Sequence, residues 1–327
     1  MNRTEHAKQR KTLHARRAIA GAAILATGLL VGAVAPARGA FSPCDGIARL
    51  AYHSALSDAG ADYWLAMAIA NNLPTAAERW EASAEARRDF RSNVAAASEQ
   101  YEARLDVCDE LGGGRYHPEI EPEDFLTPEE AAANPNPLRP LVPGRTYIYR
   151  TETDEGTETV TVEVTHETRD ILGVTCVVVH DTATLDGEVI EDTLDWYAQD
   201  EDGNVWYFGE QSLEYANGKV ASMDGSWEAG EDGALPGILM PAAPAVGDVY
   251  RQEFALGEAE DLARVLSLEA SETVPYGSFG DCLKTEDFTP LSPDAVEHKY
   301  FAPGIGEILA VNLETGEREE LIGVITE

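Results

Sequence analysis

Three patterns of apolar and polar positions divide the chain. From Gly46 to Leu111 apolar residues recur at helical spacing, with Leu50, Leu56, Tyr63, Leu65 and Ile69 among them. Leu73-Pro74 interrupts this pattern. Thr75 and Glu78 then form the capping box of a second helix, which Gly112-Gly113-Gly114 ends. Beyond residue 144 the period falls to two: Val160, Val162 and Val164 alternate with Thr and Glu. Turn signals recur at Gly173, Asp186-Gly187, Asp202-Gly203, Asn217-Gly218, Gly257, Gly277, Gly304 and Thr315-Gly316. Such spacing without intervening helices predicts an antiparallel meander of about ten strands, curved or partly closed. Leu256–Leu268, LGEAEDLARVLSL, fits a helix or a strand. The expected fold class is α+β: an N-terminal helical hairpin (38–114), a Pro-rich acidic linker (115–143) lying extended on the surface, and a half-barrel-like antiparallel β domain (144–327).

Residues 1–37 stand outside that fold. Lys8, Arg10, Lys11, Arg16 and Arg17 precede the apolar run Ala18–Ala37, which ends in Ala35-Pro36-Ala37, the form of a signal-peptidase site. Arg16-Arg17 leaves Sec and twin-arginine export both open. No lipoprotein-type sequence precedes Cys44, so the expectation is an exported periplasmic or extracellular protein, not embedded in a membrane after cleavage.

Export changes how charge and cysteines are read. The chain of 327 residues has 24 Lys+Arg against 59 Asp+Glu. Removing the leader's six bases and one acid leaves 18 against 58, a net of −40. That excess repels nucleic acid and anionic lipid headgroups. Cys44 lies 30 residues before Pro74 and Cys108 34 residues after it, so equal antiparallel helices bring the two thiols together and predict a disulfide. By alternation Cys176 shares a face with Val178 and His180, and Cys282 with Lys284 and Glu286; a cross-sheet Cys176–Cys282 bond is the second expectation.

The segment Asp195–Glu210, DWYAQDEDGNVWYFGE, sets Asp200, Asp202 and Asn204 between two aromatic clusters. As a calcium loop begun at Asp200 it fails twice, having Val205 in place of the sixth-position Gly and Gln211 in place of the twelfth-position Glu. As a hairpin with a two-residue Asp202-Gly203 turn it pairs Glu201 with Asn204, Gln199 with Trp206, Tyr197 with Phe208 and Trp196 with Gly209. Asp200, Asp202 and Asn204 are kept only as a weak metal candidate at its tip.

The segments PGRTYIYR, DGNVWYFGE, VGDVYRQEF, VPYGSFGDCL and KYFAPGIGEI resemble recurring motifs of exported bacterial proteins of unknown function, over about Leu141 to Val324. More remotely, the strand order resembles the curved-sheet periplasmic lipoprotein carriers of the LolA/LolB and LppX type. That resemblance implies an apolar groove between sheet and helix and carries over no binding residue.

No motif for catalysis emerges. His166-Glu167-Thr-Arg-Asp170 lies in an alternating segment and has Asp170 where a second zinc-binding His belongs. Gly277-Ser278-Phe279-Gly280 lacks the spacing of a nucleophile elbow, and Gly304-Ile305-Gly306 lacks a third glycine and a helix. The sequence therefore reads as a non-enzymatic binding protein needing no cofactor. Its expected ligand is a lipid or other apolar or amphiphilic small molecule on the concave face of the sheet, near Trp196, Trp206, Phe208, His298 and Tyr300. The alternative is an acidic cell-surface or matrix protein that binds divalent cations or docks a protein partner through the helical hairpin.

Overall fold

The computed structural model describes residues 42–326, so the signal-peptide reading of 1–37 lies outside the described residues. Two compact units meet in sequence at Tyr116/His117. In the first, helix α1 (Pro43–Asn71) pairs with α2 (Ala76–Glu110). Ser42/Asp45 and Thr75/Glu78 form reciprocal capping boxes at the two N-termini, satisfying amides that have no partner within the helix. Cys44 and Cys108 are bonded, as the equal arms require.

The seam between these helices is alanine. Ala48, Ala59 and Ala70 are buried on α1, and Ala86, Ala97 and Cys108 on α2, each eleven residues from the last. Eleven residues span three turns, so these positions share one face, and their small side chains admit close approach. Tyr52 stacks on Tyr101 at 5.1 Å and Tyr63 meets Phe90 at 5.2 Å across the pair. Of the apolar positions read at helical spacing, Leu56 and Tyr63 are partly buried, whereas Leu50, Leu65 and Ile69 are more than half exposed.

The second unit contains a short helix α3 (Pro128–Ala133) and fifteen antiparallel strands among the described residues. They are β1 (Arg145–Thr153), β2 (Gly156–Ile171), β3 (Val174–Leu185), β4 (Glu188–Gln199), β5 (Val205–Ala216), β6 (Lys219–Ser222), β7 (Trp227–Glu228), β8 (Leu235–Met240), β9 (Val249–Arg251), β10 (Glu253–Phe254), β11 (Leu262–Val274), β12 (Gly277–Phe288), β13 (Val296–Ala302), β14 (Gly306–Asn312) and β15 (Arg318–Thr326). The excess over ten lies mainly in β6, β7, β9 and β10, whose two to four residues are too short to alternate visibly. The ambiguous 256–268 segment is a turn as far as Asp261 and from Leu262 begins β11.

The sheet runs β10-β8-β5-β4-β3-β2-β1-β15-β14-β13-β12-β11-β9, with β6 and β7 attached to β5. It is two meanders sewn together where β1 meets β15. Only Gln252 separates β9 from β10, so the two ends of this order are neighbours in the chain. The strand pairing does not close into a ring, but the curl is deep: side chains from β3 and β14 line one cleft.

The proline-rich segment is not a free linker. Residues 117–143 belong to the β unit. Phe125 bridges Asp200, Leu126 N–H donates to the Gln199 carbonyl at 3.0 Å, and Glu201 N–H donates to the Asp124 carbonyl at 2.8 Å. Asn136 is 3% exposed: its N–H donates to Gln199 Oε1, its Nδ2 to the Gly203 carbonyl, and its Oδ1 accepts from Leu138 N–H. A side chain that uses every polar atom fixes one position for the segment.

Candidate functional site

Alternation assigns the aromatic residues to opposite faces. On the inner face stand Tyr147, Tyr149, Val160, Val162, Val164, Val177, Val179, Asp195, Tyr197 and Tyr207, matched strand to strand by the register. On the outer face stand Trp196, Ala198, Trp206 and Phe208. The Asp195–Glu210 hairpin explains both sets. Asp200 N–H donates to the Asn204 carbonyl and Gly203 has φ 92°, so the loop has three residues, not two. That shifts the register by one, pairing Gln199 with Val205, Ala198 with Trp206 and Tyr197 with Tyr207. An extra residue, Phe208, then restores it, so Trp196 opposes Gly209 as the sequence predicts. Gly209 is required: at φ 134° an added Cβ would stand 2.3 Å from the Trp227 carbonyl oxygen.

The predicted ligand residues therefore do not converge. Phe208 is fully buried beneath Phe125, with ring centroids 5.5 Å apart, and Trp206 meets the same ring at 6.1 Å. Trp196 is buried under the Arg169 guanidinium, 4.1 Å from its ring. His298 and Tyr300 lie on β13, seven places from β5 in the sheet. They share a face with Lys284 and Glu286, opposite to Lys299. Lys284 sits over the Tyr300 ring at 5.3 Å, and burial together with Lys284 lowers the His298 pKa. Phe125, from the 117–143 segment, covers Trp206 and Phe208, a contact that alternation along the strands does not reveal.

The weak metal candidate is a turn staple. Asp200 Oδ1 accepts from Asn204 N–H, and Oδ2 accepts from Asn204 Nδ2 and Trp206 Nε1, each at 2.8 Å. Asn204 Oδ1 accepts from Ala242 N–H at 2.9 Å, and Asp202 is exposed. Among the described residues no group of three or more His, Cys, Asp or Glu is placed to hold a metal ion.

Cys176 and Cys282 are both buried and both free, so the expected second disulfide is not formed. Their strands, β3 and β12, are separated by β2, β1, β15, β14 and β13. Alternation located each thiol on its strand but gave no strand adjacency. Burial first, then Asp170 and Glu228, pushes the Cys176 thiol well above its ordinary range, leaving it inert.

The inner face carries what the sequence reading missed. A cleft is lined by Leu141, Val162, Val164, Val179 and Ile305, with Arg139, Tyr149 and Glu307 as its polar part. About 330 Å³ of non-protein space lies in it and its open mouth, and its walls leave room for about one water molecule. Arg139 lies over the Tyr197 ring at 5.5 Å and 4.0 Å from Glu307 Oε2. Tyr149 Oη donates to the Glu307 carbonyl. Further along the same face, burial first, then Asp261, Glu210 and Asp195, raises the Glu253 carboxyl well above the usual range. Burial works against the Lys299 charge, but Asp287, Glu307, Glu297 and Asp261 outweigh it and raise its pKa. No sequence signal marked Arg139, which sits in a segment read as linker.

No family model matches the chain, and no curated protein matches it. Among solved structures, a protein from Parabacteroides distasonis provisionally named a lipoprotein is similar at 12% identity and a TM-score of 0.32. The likeness covers 57% of this chain and 98% of that one. It is too loose to carry anything over. No helix among the described residues is long and apolar enough to cross a membrane.

Proposed function

We propose that the chain is an exported, non-catalytic binding protein that takes a small apolar or amphiphilic molecule into the inner-face cleft. The supporting observation is the cleft's composition: five aliphatic side chains on its walls and one guanidinium, Arg139, held between Glu307 and the Tyr197 ring. Ligand sites combine such walls with a few placed polar groups. The walls leave room for about one water molecule, which excludes a whole lipid. The Cys44–Cys108 bond, of a kind that persists in oxidising compartments, supports export. Native mass spectrometry of protein purified from its own host's exported fraction tests the reading. Retained mass that disappears in Arg139→Met supports it, and a bare wild-type mass sinks it.

A second reading rests on the helical pair, where Trp64 and Trp80 are 70% and 72% exposed beside Leu65. Isolated apolar residues are ordinary at a surface, but two tryptophans so exposed favour a protein partner. Photo-crosslinking residues placed at 64 and 80 that capture nothing in the native host would remove it.

A further inference from the structure

The bulge at Phe208 brings Tyr207 and Glu210, three residues apart, onto the same inner face, where both meet Asp195 from β4. Tyr207 Oη lies 2.5 Å from Asp195 Oδ1 and 2.8 Å from Glu210 Oε2. A phenol has one hydrogen to donate, and an ionised carboxylate has none. With both carboxyls ionised, one of the two short contacts would set lone pairs against each other, at the partly buried Glu210 or the buried Asp195. Tyr207 is 4% and Asp195 7% exposed. We propose that one carboxyl of the Asp195–Glu210 pair keeps its proton in the folded protein at neutral pH, so that a carboxyl O–H donates to the phenol oxygen while the phenol O–H donates to the other carboxylate. The cluster is then a pH-sensitive clasp between β4 and β5.

The surroundings favour retention of the proton. Facing Tyr207 are Tyr197 from β4, Glu253 from β10 and the two carboxyls themselves. Facing Glu253 are Asp261, Glu210, Asp195 and, from β13, Lys299. Arg139 approaches Asp195 from the 117–143 segment but is shared with Glu307 of β14, and Asp181 of β3 faces Tyr197. Two cations, Arg139 and Lys299, thus stand among a majority of acids, and like charges at short range disfavour a second ionisation. Tyr207 itself stays neutral, because burial and both carboxyls push its hydroxyl well above the ordinary range.

The sign follows from linkage. A carboxyl that ionises later in the folded than in the unfolded chain, where it does so near pH 4, lets the folded state bind one extra proton above that pH. The folding constant then falls by up to about tenfold per pH unit until the folded pair ionises. Denaturant titrations between about pH 5 and 9 should show wild type losing stability as pH rises. Asp195→Asn or Glu210→Gln, which supplies an amide hydrogen permanently, should flatten that slope by about one proton, whereas Glu253→Gln should remove the part that its own late-ionising carboxyl contributes. Carboxyl-carbon NMR titration of the wild-type protein needs no variant. One of the two carbons reporting a protonated carboxyl at pH 7 is the expected result. Both at ionised shifts, or a pH slope unchanged in both amide variants, overturns the proposal.

Discussion

Breaking the Cys44–Cys108 bond tests the account of the helical pair most directly. Its two helices bury alanines, a few aromatic contacts and, near the bond, Leu105 and Val107, while Leu50, Leu65 and Ile69 face outward, so the large apolar side chains buried are few. The bond closes a separation of 64 residues. On the chain-entropy model a loop of that length restricts the unfolded chain by about 4 kcal/mol, about a thousandfold in the folding equilibrium. Helices of this kind joined by a small-residue seam have little to replace it. The assay is urea unfolding followed by far-ultraviolet circular dichroism, comparing wild type, wild type with reductant, and Cys44→Ala/Cys108→Ala. The double variant should lose the helical signal at much lower urea, and reductant should do the same because both other thiols are already free. The double variant also removes a buried sulfur at Cys108, so reduction isolates the cross-link itself. Equal midpoints for the helical signal in all three samples would refute the reasoning and show that the alanine seam suffices alone.

Further outcomes follow from single positions. Gly209→Ala should destabilise the sheet by about 1–3 kcal/mol, since the new Cβ collides with the Trp227 carbonyl; urea titration of tryptophan fluorescence measures it. Asp200→Ala should cost about 1–3 kcal/mol through three stranded donors, and calcium should leave the wild-type Tm unchanged because those oxygens are already engaged. A thiol reagent should count no reactive cysteine in the native protein and two after unfolding without reductant; none after unfolding would mean a bond that the fold does not contain. His298 has a lowered pKa, so the folded state binds fewer protons than the unfolded one below about pH 6.5. Stability should fall on acidification through that window, and His298→Gln should remove this part of the slope. A wild-type imidazole NMR titration at or above the ordinary value would contradict the sign.

Much of the fold was legible because local chemistry decides it. The Thr75/Glu78 box, the equal arms of the helical hairpin and the alternation at Val160, Val162 and Val164 each act within a few residues or through simple geometry. What the sequence hid is decided by contacts distant along the chain. Nothing near Trp206 or Phe208 says that Phe125, some eighty residues earlier, covers them, so they read as ligand aromatics. Of the apolar positions read from helical spacing, Leu56 and Tyr63 are partly buried while Leu50, Leu65 and Ile69 face outward, and the alanine positions that make the closest approach were not singled out. Cys176 and Cys282 were paired without knowing that β1 and β15 stand between their strands. Asp202-Gly203 marked the turn correctly, but one extra loop residue and one bulged Phe moved the register and then restored it. Of the candidate site, Arg139 and Tyr207 carried no motif; a cleft wall and a shared hydrogen bond exist only after the sheet has curled.

The seam where β1 meets β15 also sets the order in which the molecule can assemble. Arg145 finds its partner in Thr326, and Tyr147 in Val324, across nearly the full length of the β unit. Each meander can form by local pairing of successive hairpins, but the middle of the sheet stays unsealed until β15 has left the ribosome. Contacts so remote in sequence make folding slow. During that delay both sides of the seam present unpaired backbone groups, which would recruit foreign strands if left exposed. The chain thus has its greatest aggregation hazard at the centre of its finished sheet, and a chaperone or export factor that protected the region around β1 would act where protection is needed longest.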